Sequence, residues 1–133
     1  MRVQRSAAAF LVGALAALLV GCSATAPFGI PEFANEQSTN DRLPDDVDSS
    51  SLDPSTSRLL DEASGVQYFA VRSSDEVCLV VFAATDEWAV GCSSELPIDV
   101  EVQGHPVVRL ESTTVESDTW KPIGRHISIK NHE

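Results

Sequence analysis

Residues 66–92 read VQYFAVRSSDEVCLVVFAATDEWAVGC. Three β-rich runs lie in this stretch: Val66 to Arg72, Val77 to Ala84 and Glu87 to Cys92. They are separated by Ser73-Ser74-Asp75-Glu76 and by a tight turn around Thr85. A hairpin centred on Thr85 sets Cys78 opposite Cys92, Val80 opposite Val90 and Phe82 opposite Trp88. Each step is two residues, so all six side chains share one face. The preceding loop, centred between Ser74 and Asp75, sets Val71 opposite Cys78 and Phe69 opposite Val80. One sheet face thus collects Phe69, Val71, Cys78, Val80, Phe82, Trp88, Val90 and Cys92. The other face of the central run presents Leu79, Val81 and Ala83, which also need cover.

Upstream, Asp53-Pro54 reads as a helix start. An N-cap oxygen precedes a proline whose missing N–H is harmless in the first turn. The pattern predicts a short helix over Ser55 to Ala63, with Leu59 and Leu60 as its apolar contacts and Gly65 as its stop. This helix is the expected cover for Leu79 and Val81. Downstream, Ile98, Val100 and Val102 alternate with Asp99, Glu101 and Gln103, as in a half-exposed strand. Gly104-His105-Pro106 breaks that run, Val107 to Leu110 resumes it, and Trp120 with the Ile127/Ile129 alternation closes the sequence. The expected fold is α+β over residues 53–133: a small, mainly antiparallel sheet of five or six strands with one short N-terminal helix.

Residues 22–52 read as an acidic, disordered tether. Pro27, Pro31, Pro44 and a Ser run at 49–51 interrupt it, and between Ser23 and Asp53 seven acids face the single Arg42. A flexible chain of that length spans on the order of 30 Å. Two places within it offer docking contacts: the apolar Phe28, Ile30 and Phe33, and the turn-like Asn40-Asp41-Arg42-Leu43-Pro44.

The first residues carry an address. Arg2 and Arg5 precede an apolar run from Ala7 to Val20. As a helix this run reaches about 21 Å, short of a hydrocarbon core of roughly 30 Å, so it reads as a signal h-region. Leu19-Val20-Gly21-Cys22 resembles the lipobox of bacterial lipoproteins. The resemblance implies that residues 1–21 are a signal peptide and that Cys22 becomes the new N-terminus. It also implies a diacylglycerol on the Cys22 thiol, with acyl chains such as palmitate holding the protein on the extracytoplasmic face of the cell membrane. Two or more chains make such an anchor stable. With Cys22 assigned to lipid, Cys78 and Cys92 remain from the three cysteines, free to pair outside the reducing cytoplasm. A bridge closing so short a loop adds about 3 kcal/mol in the chain-entropy account. Over residues 41–92, Asp-Arg-Leu-Pro, Ser57-Arg58-Leu59-Leu60, Val77 to Val81 and Trp88 to Cys92 together resemble small uncharacterised actinobacterial lipoproteins. That likeness carries no activity and no site residues.

Net charge is −11. Loss of Arg2 and Arg5 with the signal leaves seven cations against twenty acids, −13, and no basic stripe for a phosphate backbone. No nucleic-acid partner is expected. The sequence has no GxGxxG, P-loop, HExxH, CxxC or GxSxG motif. His105 falls in a Gly-His-Pro turn, His126 opens the last strand and His132 sits at the terminus. A His105/His126 site would require those strand ends to meet. Asp45-Asp46-Val47-Asp48 lacks the glycine and terminal Glu of an EF-hand loop and reads as a solvated acidic run. Trp88 reads as core, while Trp120 is open to a stacking role. No catalytic, cofactor-binding or metal residue is therefore assigned, and the chain is not expected to be an enzyme. The expected function is a membrane-anchored extracytoplasmic binding or interaction domain for an envelope protein or cell-wall component. The alternatives are a small solute-binding or sensory accessory lipoprotein, which needs a concave pocket, and a small hydrolase with a pair of buried acids. An exposed apolar patch at Trp120, or at Phe28 and Phe33, would mark the interaction module.

Overall fold

Val77, Cys78, Leu79, Val80 and Val81 are each no more than 1% exposed. A strand sends successive side chains to opposite faces, so it buries five in a row only when both faces of its sheet are covered. The computed structural model, which describes residues 26–132, shows what covers them. The expected signal peptide and the lipid-bearing Cys22 lie outside the described residues.

Two four-stranded antiparallel sheets face each other. The first holds β1 (Asp53–Ala63), β2 (Val66–Ser73), β3 (Glu76–Ala84) and β4 (Glu87–Ser93) in sequence order. The second holds β5 (Ile98–Val100), β6 (Val108–Leu110), β7 (Trp120–Pro122) and β8 (Ile127–Lys130), in the spatial order β5-β6-β8-β7. The pairs Cys78–Cys92, Val80–Val90, Phe82–Trp88, Val71–Cys78 and Phe69–Val80 all occur as the spacing requires. A one-residue register shift between Phe82 and Ala84 moves the turn itself to Thr85 and Asp86. Cys78 and Cys92 form a disulfide across this hairpin.

The architecture is mainly β, not α+β. The segment expected to be a helix, Ser55 to Ala63, is strand β1, and the described residues hold only short 3-10 turns. The signals that suggested a helix serve other ends. The Asp53 carboxylate accepts the Ser55 N–H at 3.2 Å and its hydroxyl at 2.6 Å, closing an Asx turn at a strand entry. Gly65 (φ 78°), after Ser64 (φ 52°), makes a two-residue hairpin turn that needs positive φ at both positions. Leu59 and Leu60 do not share one helical stripe: Leu59 packs with Phe69 and Val80, Leu60 with Leu79 and Val81. Register shifts between Asp53 and Arg58, and between Leu59 and Asp61, blur the alternation that would have revealed the strand.

Leu79 and Val81 are therefore covered by a second sheet. The core between the sheets joins Tyr68, Ala70, Val77, Leu79 and Val81 to Ile98, Val100, Val108, Leu110 and Ile127. The sheets approach closely at Gly91, where an added Cβ would lie 2.7 Å from a Val100 methyl.

Residues 26–52, the described part of the expected tether, are packed on the sandwich as a strap. Ile30 is fully buried in the inter-sheet core, with Phe28 and Phe33 against it. Val47 and Leu52 are buried with Phe69, Val71, Cys78 and Val80 on the outer face of the first sheet. The low overall hydrophobicity of this stretch conceals that its few apolar residues fall where the sheets leave gaps. Several of its polar groups are bonded to β1. Arg58, 8% exposed, donates to the carbonyls of Glu32 (3.1 Å), Asn35 (2.6 Å) and Ser57 (2.8 Å). Asp41 accepts the Leu59 N–H at 2.9 Å, and the Ser57 hydroxyl donates to the Asp41 carbonyl at 2.6 Å.

Candidate functional site

The inter-sheet space is not filled throughout. A cleft of about 370 Å³ opens beside the β1–β2 turn, lined by Val66 and Tyr68 of β2, Val81 of β3, Val108 of β6, Ile129 of β8 and the His105-Pro106 turn. Its walls follow from strand alternation. Tyr68 and Val81 are cross-strand partners and lie on the inner face of their sheet, while Val108 and Ile129 are partners on the inner face of the other. Most of the lining is aliphatic, and among the described residues no Lys or Arg contributes to it.

Ser64, Tyr68 and His105 are the polar residues of the lining, and carboxylates stand next to the last two: Asp61 beside Tyr68 and Glu87 beside His105. Tyr68 is 3% exposed and its side chain lines the cleft. Burial pushes its phenol above the ordinary value of 10, and the charge of Asp61 adds to the effect. At physiological pH it is a neutral donor. Asp61 is the register partner of Tyr68 across β1–β2, and its carboxylate lies against the bare Cα of Gly124. His105 is held by its own turn, its N–H donating to Val102 O at 2.9 Å, and its Nε2 lies 3.0 Å from the Glu87 carboxylate. That contact ties the tip of the β3–β4 hairpin to the lip of the cleft.

His105 and His126 do not form a joint site. His126 is 3% exposed and packs under the strap, with Nδ1 3.1 Å from Glu111 O and Nε2 3.0 Å from the Glu32 carboxylate. A carbonyl is an acceptor only, so Nδ1 carries a proton. The Nε2–Glu32 contact is close but off the hydrogen-bond direction, and neither atom has another partner. His132 is exposed. Among the described residues no cluster of three or more His, Cys, Asp or Glu is placed to hold a metal. The run Asp45-Asp46-Val47-Asp48 is divided: Val47 is core, Asp45 and Asp46 are exposed, and Asp48 accepts the Ser50 N–H at 3.0 Å. Trp88 packs at the edge of the outer core beside Val90. Trp120 lies on the outer face of the second sheet, with the Arg109 guanidinium 4.0 Å from its ring centroid. Arg109 is itself held bidentate by Asp99 at 2.7 and 2.8 Å.

Tyr68 is the residue that sequence reading overlooked. It is the single tyrosine of the chain, on the inward phase of β2, one residue out of step with the Phe69/Val71 face. That phase was legible. The aliphatic walls came from strands whose sheet partners were not. Among the described residues no helix is long and apolar enough to cross a membrane. Compared with protein-family models, curated proteins and solved structures, the chain matches none.

Proposed function

We propose that this chain is a lipid-anchored extracytoplasmic binding protein that takes the apolar part of a small ligand into the cleft between its sheets. The observation that carries the reading is the cleft itself. Its volume, about 370 Å³, falls within the range of small-molecule sites, and it combines an apolar lining with a few convergent polar groups. The protein-docking reading has less support. Phe28 and Phe33 pack on the core, Trp120 is half-buried beside Arg109, and among the described residues Val115 is the large hydrophobe left exposed, at 70%. In this reading Leu19-Val20-Gly21-Cys22 supplies the anchor, and the disulfide accords with an oxidising compartment.

The test is to purify the full-length protein from its native membranes and identify co-purifying small molecules by mass spectrometry. Ala63, at the end of β1, also lines the cleft; Ala63→Phe, which adds a ring there, should lose the molecule that the wild-type chain retains, whereas Val115→Ser should keep it. Equal recovery from wild type and Ala63→Phe would remove the cleft from the reading. Replacing Cys22 by Ala should release the chain from the membrane fraction, and continued fractionation with membranes would remove the lipid anchor.

A further inference from the structure

We propose that the ligand of the cleft is an amphiphile whose polar end is uncharged or positively charged, and that carboxylate amphiphiles such as fatty acids are rejected. This rests on the cleft being the binding site and concerns what that site selects.

Charge at the apolar mouth of the cleft decides which head group enters. Among the described residues no Lys or Arg lines the cleft, and the charges next to two of its polar side chains are carboxylates: Asp61 beside Tyr68, and Glu87 3.0 Å from His105. The partly exposed imidazole of His105 is already matched with Glu87, so any positive charge it carries is offset there rather than presented to a ligand. Lys130 lines a different, shallow hollow across the His105-Pro106 turn, which it shares with Glu101. An anionic head entering the cleft would thus lose hydration and gain no counter-ion, an unfavourable exchange in an apolar site. An ammonium or hydroxyl head meets no such penalty, since the charges next to Tyr68 and His105 are the carboxylates of Asp61 and Glu87. Tyr68, a neutral donor, offers one hydrogen bond to a ligand oxygen or nitrogen.

Because Tyr68 is the chain's single tyrosine, a ring-labelled tyrosine gives one NMR resonance that reports on the cleft alone. The full chain, reconstituted in phosphatidylcholine nanodiscs to keep the surface zwitterionic, would be titrated with hexylamine, hexanol and hexanoate. These probes share a tail and differ in head charge. The expected result is a saturable Tyr68 shift with hexylamine and hexanol, at concentrations about tenfold or more below any shift with hexanoate. Glu87→Gln and Asp61→Asn should each narrow that gap. Equal binding of all three probes, or preferential binding of hexanoate, overturns the charge selection while leaving the cleft as a site. A Tyr68 resonance that no probe moves overturns the binding reading itself.

Discussion

Strand β3 turns Leu79 and Val81 toward a second β-sheet and Cys78 and Val80 toward a strap of irregular chain, and the two covers are built by different rules. On the inner side, backbone groups are satisfied within each sheet, and contact between the sheets is made by interlocking aliphatic side chains. On the outer side, the strap has no ladder. Residues 26–52 hold on through a few buried hydrophobes, Val47 and Leu52 on this side and Ile30 between the sheets, and through single side-chain bonds to backbone, such as those of Arg58, Asp41 and Ser57. A sheet lost from a sandwich exposes a whole face at once, whereas a strap is able to open piecemeal. Local opening free energies follow this density of buried contacts, so the strap is expected to exchange before the strands.

The largest effect should come from the inner cover. Leu79→Ala removes a fully buried side chain between the sheets and should cost about 2–5 kcal/mol, read from the denaturant midpoint. Val47→Ala, on the strap side, should cost about 1–2 kcal/mol. Equal costs would mean that the strap is as integral to the core as the second sheet. Next comes the staple. The disulfide links residues 14 apart across β3–β4, and replacing both Cys78 and Cys92 by Ala should lower stability by about 3 kcal/mol. An unchanged melting temperature would show that this hairpin needs no covalent support. A smaller effect is expected where the strap meets His126. Glu32→Gln leaves His126 Nε2 without its carboxylate and should cost about 1–3 kcal/mol, with faster amide exchange confined to residues 30–35.

The same contrast explains what could be read in advance. Residues 66–92 were legible because their pairings are local. A turn of known centre fixes the register, and the register fixes the face, so Cys78 meets Cys92 and Phe82 meets Trp88. Ile98, Val108 and Ile127 were recognisable as strand residues, but alternation does not say which sheet a strand joins. Hence Leu79 was assigned a helical cover that does not exist. β1 was misread because its bulges put Leu59 and Leu60 in sequence positions that suit a helix as well. The strap was the least legible part. Ile30 is one apolar residue in an acidic, proline-broken stretch, and its burial depends on a gap left by residues nearly 100 positions away, Ile127 among them. The cleft suffers the same limit, since its two walls belong to different sheets. His105, singled out as a turn residue, does reach its lip.

Acid should separate the two covers most finely. Burial pushes the Asp41 carboxyl up, but hydrogen bonds from Ser38 and Leu59, with the nearby charge of Arg58, outweigh this and hold it below the ordinary carboxylate value. A carboxyl with a lower pKa folded than unfolded stabilises the native arrangement above the unfolded value, about 3.9, and that contribution disappears as pH falls through the folded value. The inner core has no such dependence at its aliphatic contacts. Lowering the pH from 6 to about 3 should therefore reduce the protection factor of the Leu59 N–H, which donates to Asp41, before it reduces that of Leu79 or Val81. Asp41→Asn keeps an acceptor oxygen but does not titrate, so it should flatten that acid dependence at Leu59. If Leu59 and Leu79 instead lose protection together in the wild-type chain, the strap and the sandwich open as one cooperative unit. The distinction between the two covers of β3 would then be one of geometry without a counterpart in stability.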